Sequence, residues 1–403
     1  MKTRIDKNEI FKTLIPATLS IFIIFTSFNA PFNVRLFFFL SLIILFFFYG
    51  NSNNNLIKQF LSSHHIIIFS LFCLASFFFV NNSYDYIYSP NIINIIALST
   101  LAVFVMNYTD IYEKTMDYTL YILTLLLTLS LFIHFFIFES NFLSATLYFY
   151  EFENEDYATK NTLGVLLCLI LPHVFFQLNK KISFINVYIF LIFTLSIFYL
   201  FSRTALVLYL FILIAMIFTF RKKIILITFG AFIFLIAAIT TFQITPEKYN
   251  ELKSIANQQI KAEYTQPPNS VFSYDSYRSQ YIVKSIIGFT EKPIFGHGLS
   301  TFQQNHKTFD EDDNLISKHI THNDYAQILY EQGIFGFSLF IYLIITILLR
   351  LFKNENDSLL FLTKIIQFLT LLISMNFINL LDHALFWIFV ALNSRLKKTH
   401  EID

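Results

Sequence analysis

Charge is the scarcest property of this 403-residue sequence. Only 14% of the residues are charged, whereas 56% are hydrophobic, and the mean hydropathy is +0.60. A water-exposed surface needs far more charge than this, so a soluble domain is excluded. Glycine and proline are also scarce, with eight residues of each, which excludes collagen-like and low-complexity disordered chains. The net charge of +1 gives no reason to expect a nucleic-acid partner.

The sequence has only two cysteines, Cys73 and Cys168, and both lie inside apolar runs. They are typical of small buried hydrophobic residues, which excludes a disulfide framework and a cysteine-based metal site. Four cations precede the first apolar run, as in a signal peptide, but further hydrophobic runs follow. We therefore interpret the first run as an uncleaved helix.

Long apolar runs, rich in the 53 phenylalanines, are what the sequence has in abundance. About 20 apolar residues cross a hydrocarbon core of roughly 30 Å. The sequence thus predicts an all-α polytopic membrane protein with about twelve transmembrane helices. The predicted spans lie near residues 13–28, 33–50, 65–81, 91–107, 117–138, 161–178, 183–201, 204–220, 224–243, 334–352, 359–375 and 377–394.

Lysine and arginine are distributed unevenly among the predicted loops. When the N-terminus is placed in the cytoplasm, the short outward loops carry almost no cations apart from Arg35, Lys160 and Arg203. The positive-inside rule then predicts an even number of helices with both termini in the cytoplasm. The chain divides into N-terminal helices (1–243), a large periplasmic loop (244–333), and C-terminal helices with a cytoplasmic tail (334–403).

The large loop is long enough to build a site outside the bilayer. It carries apolar residues at helical spacing, which predicts short helices that fold onto the membrane: Tyr281, Ile282, Val283, Ile286 and Ile287. A second outward loop, 139–160, is acidic. Polar residues also interrupt the last spans, and Asp382 beside His383 is either a proton relay or a buried pair that joins helices. The others are Lys364, Asn376 and Asn379.

The segment from Pro293 to Phe302 contains Gly296 and Gly298, which allow a tight turn with exposed backbone amides. An acidic stretch, 310–313, follows, and we interpret it as a solvated loop tip rather than a cation site.

Thr321 and Asp324 have the spacing of a capping box, which predicts a helix that starts there and stops at Gly333 in a left-handed cap. His322 would lie in the first turn, where the helix dipole favours the neutral imidazole that a general base requires. His319 and His322 have a spacing that metal ligands use, but no third ligand is evident.

Across 278–336 the sequence reads P-x-x-G-x-G-x-x-x-F, an acidic spacer, and then H-N-x-Y-x-Q-x-x-x-E-x-G-x-x-G. This combination resembles the O-antigen ligase family, whose superfamily also includes O-antigen polymerases and bacterial O-linked oligosaccharyltransferases. Arg278 stands where that family has an arginine in its periplasmic loop. Ser202-Arg203 resembles a short Ser-Arg motif of the family, and Lys160-Asn161 resembles a looser family position.

The resemblance implies the fold of a C-type glycosyltransferase and a donor glycan carried on undecaprenyl diphosphate, without a cofactor or metal. Arg203, Arg278 and Lys160 would then bind the diphosphate, because guanidinium and ammonium groups stabilise the charge of the leaving group. His322 would be the general base of an inverting transfer, with His319 as the alternative. Supporting roles would fall to Asn323, Tyr325, Gly296 and Gly298.

The acceptor that the resemblance implies is a sugar hydroxyl of lipid A–core, as in lipopolysaccharide biosynthesis at the inner membrane. A second lipid-linked repeat unit would make the protein an O-antigen or capsule polymerase. Transfer to protein is the less favoured alternative. In a different class, about twelve helices would also suit a lipid-linked-oligosaccharide flippase, but the two halves of the sequence lack the symmetry typical of transporters.

Overall fold

A computed structural model of the chain gives an almost wholly helical architecture. The structure describes residues 7–27, 32–51, 63–80, 90–107, 111–132, 158–200, 202–219, 276–309, 315–318, 321–354, 357–381 and 383–394. The predicted ninth span (224–243), most of the acidic loop (139–160) and the acidic tip (310–313) lie outside these residues.

The helices before the large loop follow the apolar runs of the sequence. They are α1 (Lys7–Ser27), α2 (Phe32–Asn51), α3 (His64–Val80), α4 (Pro90–Asn107), α5 (Ile111–Phe132), α6 (Ala158–Lys180), α7 (Phe184–Tyr199) and α8 (Arg203–Thr219).

The later elements are α9 (Ser276–Glu291), the short α10 (Thr301–Asn305), strands β1 (Lys307–Phe309) and β2 (Leu315–Lys318), and helices α11 (Asp324–Asn354), α12 (Ser358–Ser374) and α13 (Ala384–Asn393). The two strands pair antiparallel as a small hairpin. The sequence predicts an all-α fold, which is wrong for this hairpin. The strands flank the acidic tip, where we had predicted only a loop.

The prediction of a multi-pass membrane protein is confirmed, but the count of twelve spans is not. Among the described residues, three helical stretches are long and apolar enough to cross a membrane alone: Ile10–Ser27, Asn161–Lys180 and Asp324–Lys353. Asn94–Met106 and Ile111–Leu129 meet that test only as a pair, which is bent by 117°. The remaining apolar helices meet the test over no more than 17 described residues each.

Helix α6 occupies the centre of the bundle. It packs against α7, α8 and α12, and its residues from Leu163 to Phe176 are almost completely buried. A helix that is apolar on all sides is stable only when other helices surround it, which explains why α6 lacks a polar face. It therefore provides a fixed frame for residues at its ends.

Polar side chains join α6 to its neighbours inside the bundle. Gln367 of α12 donates to the Leu169 carbonyl at 2.8 Å and accepts from the Tyr112 hydroxyl of α5. The ammonium group of Lys364 lies 4.7 Å from the centre of the Tyr112 ring. These contacts satisfy groups that hydrocarbon would leave unpaired, and they fix the register of the three helices.

The last helix begins later than the hydropathy of 377–394 predicts. The backbone of 375–381 and of His383 is not helical, and α13 starts at Ala384. His383 caps α13, because its Nδ1 accepts from the Leu385 amide at 3.2 Å. His383 is thus at a helix start and not within a span, whereas Asp382 lies outside the described residues.

Candidate active site

The glycine segment 293–298 is bonded directly to the backbone of α11. The amides of His297 and Gly298 donate to the carbonyls of Tyr330 (2.9 Å) and Glu331 (2.7 Å). Further along, the amides of Ile334 and Phe335 donate to the carbonyls at 293 and 294. The two halves of the sequence motif therefore form one structural unit.

Glycine is required where these two backbones meet. A Cβ on Gly296 would lie 2.4–2.5 Å from backbone atoms of Glu331 and Gln332, and one on Gly333 would lie 2.5 Å from the Ile294 oxygen. Both residues have positive φ. Gly333 has ψ −167°, an extended conformation almost restricted to glycine, so the predicted left-handed cap is wrong. Helix α11 kinks at this residue and continues to Asn354 instead of stopping.

The carboxylate of Glu331 connects α10 to the start of α11. The side chain is 2% exposed. Its Oε1 accepts from the Phe302 amide at 3.3 Å and from the Gln327 amide group at 3.2 Å. A buried carboxylate is stable only when donors satisfy its oxygens, so this residue holds α10 against α11.

The start of α11 differs from the predicted capping box. Asn323 is the capping residue, because its Oδ1 accepts from the Ala326 amide at 3.0 Å. Thr321 accepts from the Asn323 amide through its hydroxyl at 3.2 Å. His322 therefore precedes the first helical turn, with a φ of 51°, which is uncommon for a residue other than glycine. Such positions occur often at functional sites.

Asp324 bonds outside its own helix. Its Oδ2 accepts from the amides of Leu380 (2.7 Å) and Leu381 (3.2 Å), and its own amide donates to the Met375 carbonyl at 2.9 Å. These bonds hold the non-helical stretch after α12 against the start of α11. They also explain the late start of α13.

Asn379 is a residue of this site that the sequence analysis did not assign. Its amide nitrogen donates to Gln327 Oε1 and lies 3.4 Å from the Thr321 hydroxyl. Its signal in the sequence was the set of polar residues that interrupts the apolar run after 375. Such an interruption indicates irregular backbone, which at membrane depth must line a site or be buried in protein.

Two histidines stack on aromatic rings beside the glycine segment. The His297 ring is 4.5 Å from the Tyr330 ring, and the His306 ring is 4.3 Å from the Phe302 ring. His297 Nε2 donates to the Gly288 carbonyl at 2.8 Å, and His306 Nδ1 donates to the Phe302 carbonyl at 2.9 Å. Burial lowers the pKa of His306, while the bond to Phe302 opposes that shift.

Helices α6 and α8 begin side by side. The Ser202 hydroxyl donates to Asn161 Oδ1 at 2.7 Å and also accepts from the Ala205 amide, which makes Ser202 the cap of α8. A Cβ on Gly164 would lie 2.7 Å from the Cβ of Ala205, so the helices are almost in backbone contact here. Two helix N-termini, both with positive dipole ends, therefore meet at one point.

The N-termini of α6 and α8 lie at the same end of the bundle as the start of α11. Leu169 of α6 bonds to Gln367 of α12. Tyr112 contacts His173, which follows Leu169 on α6, and also Lys364, which precedes Gln367 on α12. The two helices are therefore antiparallel. Asn161 is eight residues before Leu169 and Met375 is eight residues after Gln367. At a rise of 1.5 Å per residue, each of the two residues lies about 12 Å along the helix axis from the bond between Leu169 and Gln367, toward the same end of the bundle. The carbonyl of Met375 accepts a hydrogen bond from the amide of Asp324, the first residue of α11, so the start of α11 lies at this end too.

The sequence was compared with models of known protein families. Residues 188–341 match the family model for O-antigen ligase. This segment is similar to the O-antigen ligase family. No curated protein matches the chain.

The family resemblance predicted from the sequence is confirmed. The matched residues cover most of α7, α8, the segment 276–309 and the first half of α11. The similarity implies an enzyme of the ligase or polymerase type that acts on lipid-linked sugars. Asn161 lies before the matched residues but contacts Ser202 within them.

The other residues predicted for the site occupy separate helices. Arg203 is the first residue of α8, Arg278 lies in the first turn of α9, and Lys160 lies in the first turn of α6. Tyr325 donates its hydroxyl to the Leu372 carbonyl at 2.7 Å, so it joins α11 to α12. His319 lies outside the described residues. Among the residues that are described, no three His, Cys, Asp or Glu side chains cluster as metal ligands.

Proposed function

We propose that this protein is an O-antigen ligase of a bacterial inner membrane. It transfers a glycan from undecaprenyl diphosphate to a sugar hydroxyl of lipid A–core on the periplasmic face. The observation that carries the proposal is the joined motif of the matched segment, in which the glycine segment and the start of α11 form one unit. This unit lies at the same end of the bundle as the paired starts of α6 and α8.

The diphosphate of the donor would bind at the paired starts of α6 and α8. The helix dipole and the backbone amides of the first turn favour an anion at each N-terminus. Lys160 and Arg203 add two cations in the first turns of these helices, and Arg278 adds a third from α9. As the sugar–phosphate bond breaks, the leaving diphosphate gains negative charge, which fixed cations stabilise. Arginine is well suited because it binds phosphate oxygens in pairs and keeps its charge.

His322 would act as the general base. The acceptor hydroxyl gives its proton to the neutral imidazole while its oxygen attacks the anomeric carbon, and the bond to the diphosphate breaks on the opposite side. The configuration at that carbon is therefore inverted. His322 is suited to this role because Thr321 and Asn323 fix the backbone on both sides of it. We keep His319 as the alternative base.

The acceptor separates the ligase from its nearest alternative. A polymerase would use the same donor and base and transfer the glycan to a second lipid-linked repeat unit. The two activities are distinguished with purified protein in lipid, a defined undecaprenyl-diphosphate glycan, and both acceptors offered in parallel. Product on lipid A–core supports a ligase, and product only on the lipid-linked unit makes the protein a polymerase. Absence of product with either acceptor would contradict both and reopen transfer to protein or transport.

A further inference from the structure

Helix α9 has three distinct faces. The face that packs on α11 carries Ser285, which is fully buried, and Gly288, whose Cα lies against the Tyr330 ring. A second face carries Val283, Ile286 and Ile287, at the three- and four-residue spacing that puts side chains on one side of a helix. Their side chains are 51–55% exposed.

The polar residues of α9 lie beside this apolar face. At 100° per residue, Lys284 and Glu291 fall about 20° apart and about 90° from the centre of the apolar face. Lys284 is exposed, and its ammonium group lies 5.2 Å from the Tyr281 ring. An apolar face bordered by a charged strip is the pattern of helices that lie in a membrane interface, where lysine stems extend toward the headgroups.

Further exposed apolar residues follow α9 in the glycine segment and in α11. Ile294 and Phe295 are 58% and 56% exposed, and Ile334 and Phe335 of α11 are 48% and 47% exposed. The Phe295 and Phe335 rings contact each other at 5.8 Å. Isolated exposed apolar residues are common, but a group of seven large ones on neighbouring elements marks an interaction surface.

Lipid is the partner that this surface fits, because it continues into the membrane-spanning part of α11. From Ile334 onward the exposed residues of that helix are predominantly large and apolar, and include Ile345, Leu349 and Phe352. A water-exposed face would have no such continuity.

We propose that the apolar face of α9, together with Ile294, Phe295, Ile334 and Phe335, is a membrane-docking surface that inserts into the headgroup–acyl boundary of the bilayer. Docking holds the glycine segment at the depth of the lipid headgroups. The proposal concerns only how the segment meets the lipid, so it stands or fails independently of the acceptor and of the catalytic roles above.

The test is site-directed spin labelling of the full chain in lipid nanodiscs. Single labels are introduced by Ile287→Cys on the apolar face, Lys284→Cys on the charged strip, and Leu349→Cys as a reference in the hydrocarbon region. The native Cys73 and Cys168 are fully buried, so the parent protein serves as the unlabelled control. Collisions with oxygen, which concentrates in lipid, and with a water-soluble nickel complex are then measured at each position.

We expect the Ile287 label to collide with oxygen several-fold more readily than with the nickel complex, as the Leu349 label does, and the Lys284 label to show the reverse. Equal access of the nickel complex to the Ile287 and Lys284 labels would overturn the proposal, because the face would then be in water. Weak collision of the Ile287 label with both probes would also overturn it and indicate cover by protein, such as a second copy. If Ile287→Cys does not fold, Val283→Cys tests the same face.

Discussion

The hydroxyl of Ser202 donates a hydrogen bond to Asn161 Oδ1 at 2.7 Å, and this bond joins the starts of α6 and α8. Two residues 41 positions apart thus hold two helix N-termini together, with a cation beside each: Lys160 precedes Asn161, and Arg203 follows Ser202. In the account proposed here, this junction binds the diphosphate of the donor.

The junction predicts energetic coupling between Asn161 and Ser202. Asn161→Ala and Ser202→Ala should each destabilise the protein, and the double variant should lose less than the sum, since one shared bond is lost once. The coupling should be about 0.5–1.5 kcal/mol, the usual net value of a hydrogen bond. Thermal unfolding of the four proteins in one detergent measures it. Strictly additive effects would contradict the shared bond.

The close approach of two backbones predicts that alanine is not tolerated at Gly296 or Gly333. A Cβ at either position would meet backbone atoms at 2.4–2.7 Å, and both residues have positive φ. The conformational strain alone should cost about 1–3 kcal/mol, to which the steric clash adds. We expect a clear fall in the melting temperature and loss of transfer activity. Ser338→Ala, on the exposed side of α11, is the matched control and should behave as the wild type.

Burial of His306 predicts that acid destabilises the segment around α10. The pKa of His306 is lowered from its ordinary value of 6.5, so the unfolded chain takes up its proton before the folded chain does. Neutral His306 therefore leaves the free energy of unfolding at its full value above pH 6.5. The free energy of unfolding decreases as the pH falls from 6.5 through the pKa of His306 in the folded protein. His306→Phe keeps a ring against Phe302 but cannot titrate.

The melting temperatures of wild type and His306→Phe should be compared at about pH 7.5 and about pH 5.5, on either side of the histidine pKa. The wild type should lose more on acidification than the variant does. An equal fall in both proteins would mean that other groups cause the acid sensitivity.

Hydropathy predicted the helices well, because an apolar run of membrane-spanning length has few alternative structures in lipid. The runs near 13–28, 161–178 and 334–352 all correspond to helices of spanning length. The motif also identified the glycine segment and the start of α11 as a unit, since both halves carry glycines and polar residues in a chain that is otherwise apolar.

The sequence predicted less where a tertiary contact determines the local structure. Asp324 has the spacing of a capping residue, but its carboxylate binds the amides of Leu380 and Leu381, so Asn323 takes the capping role. The same contact delays α13, which hydropathy alone could not indicate. Gly333 had the residue type of a helix stop, yet its backbone fits against Ile294 and α11 continues. Each of these outcomes depends on a partner distant in the sequence.

The role of His322 as general base is tested by glycan transfer with His322→Ala, measured under single-turnover conditions with purified protein in lipid. His306→Ala is the matched control, since it removes another histidine of the large loop that has no proposed proton-transfer role. The account predicts that the His322 variant binds the donor normally and loses about 10²–10⁴-fold in the rate of transfer, the usual contribution of a general base. Transfer at the wild-type rate by a folded His322→Ala protein would contradict the assignment of the base.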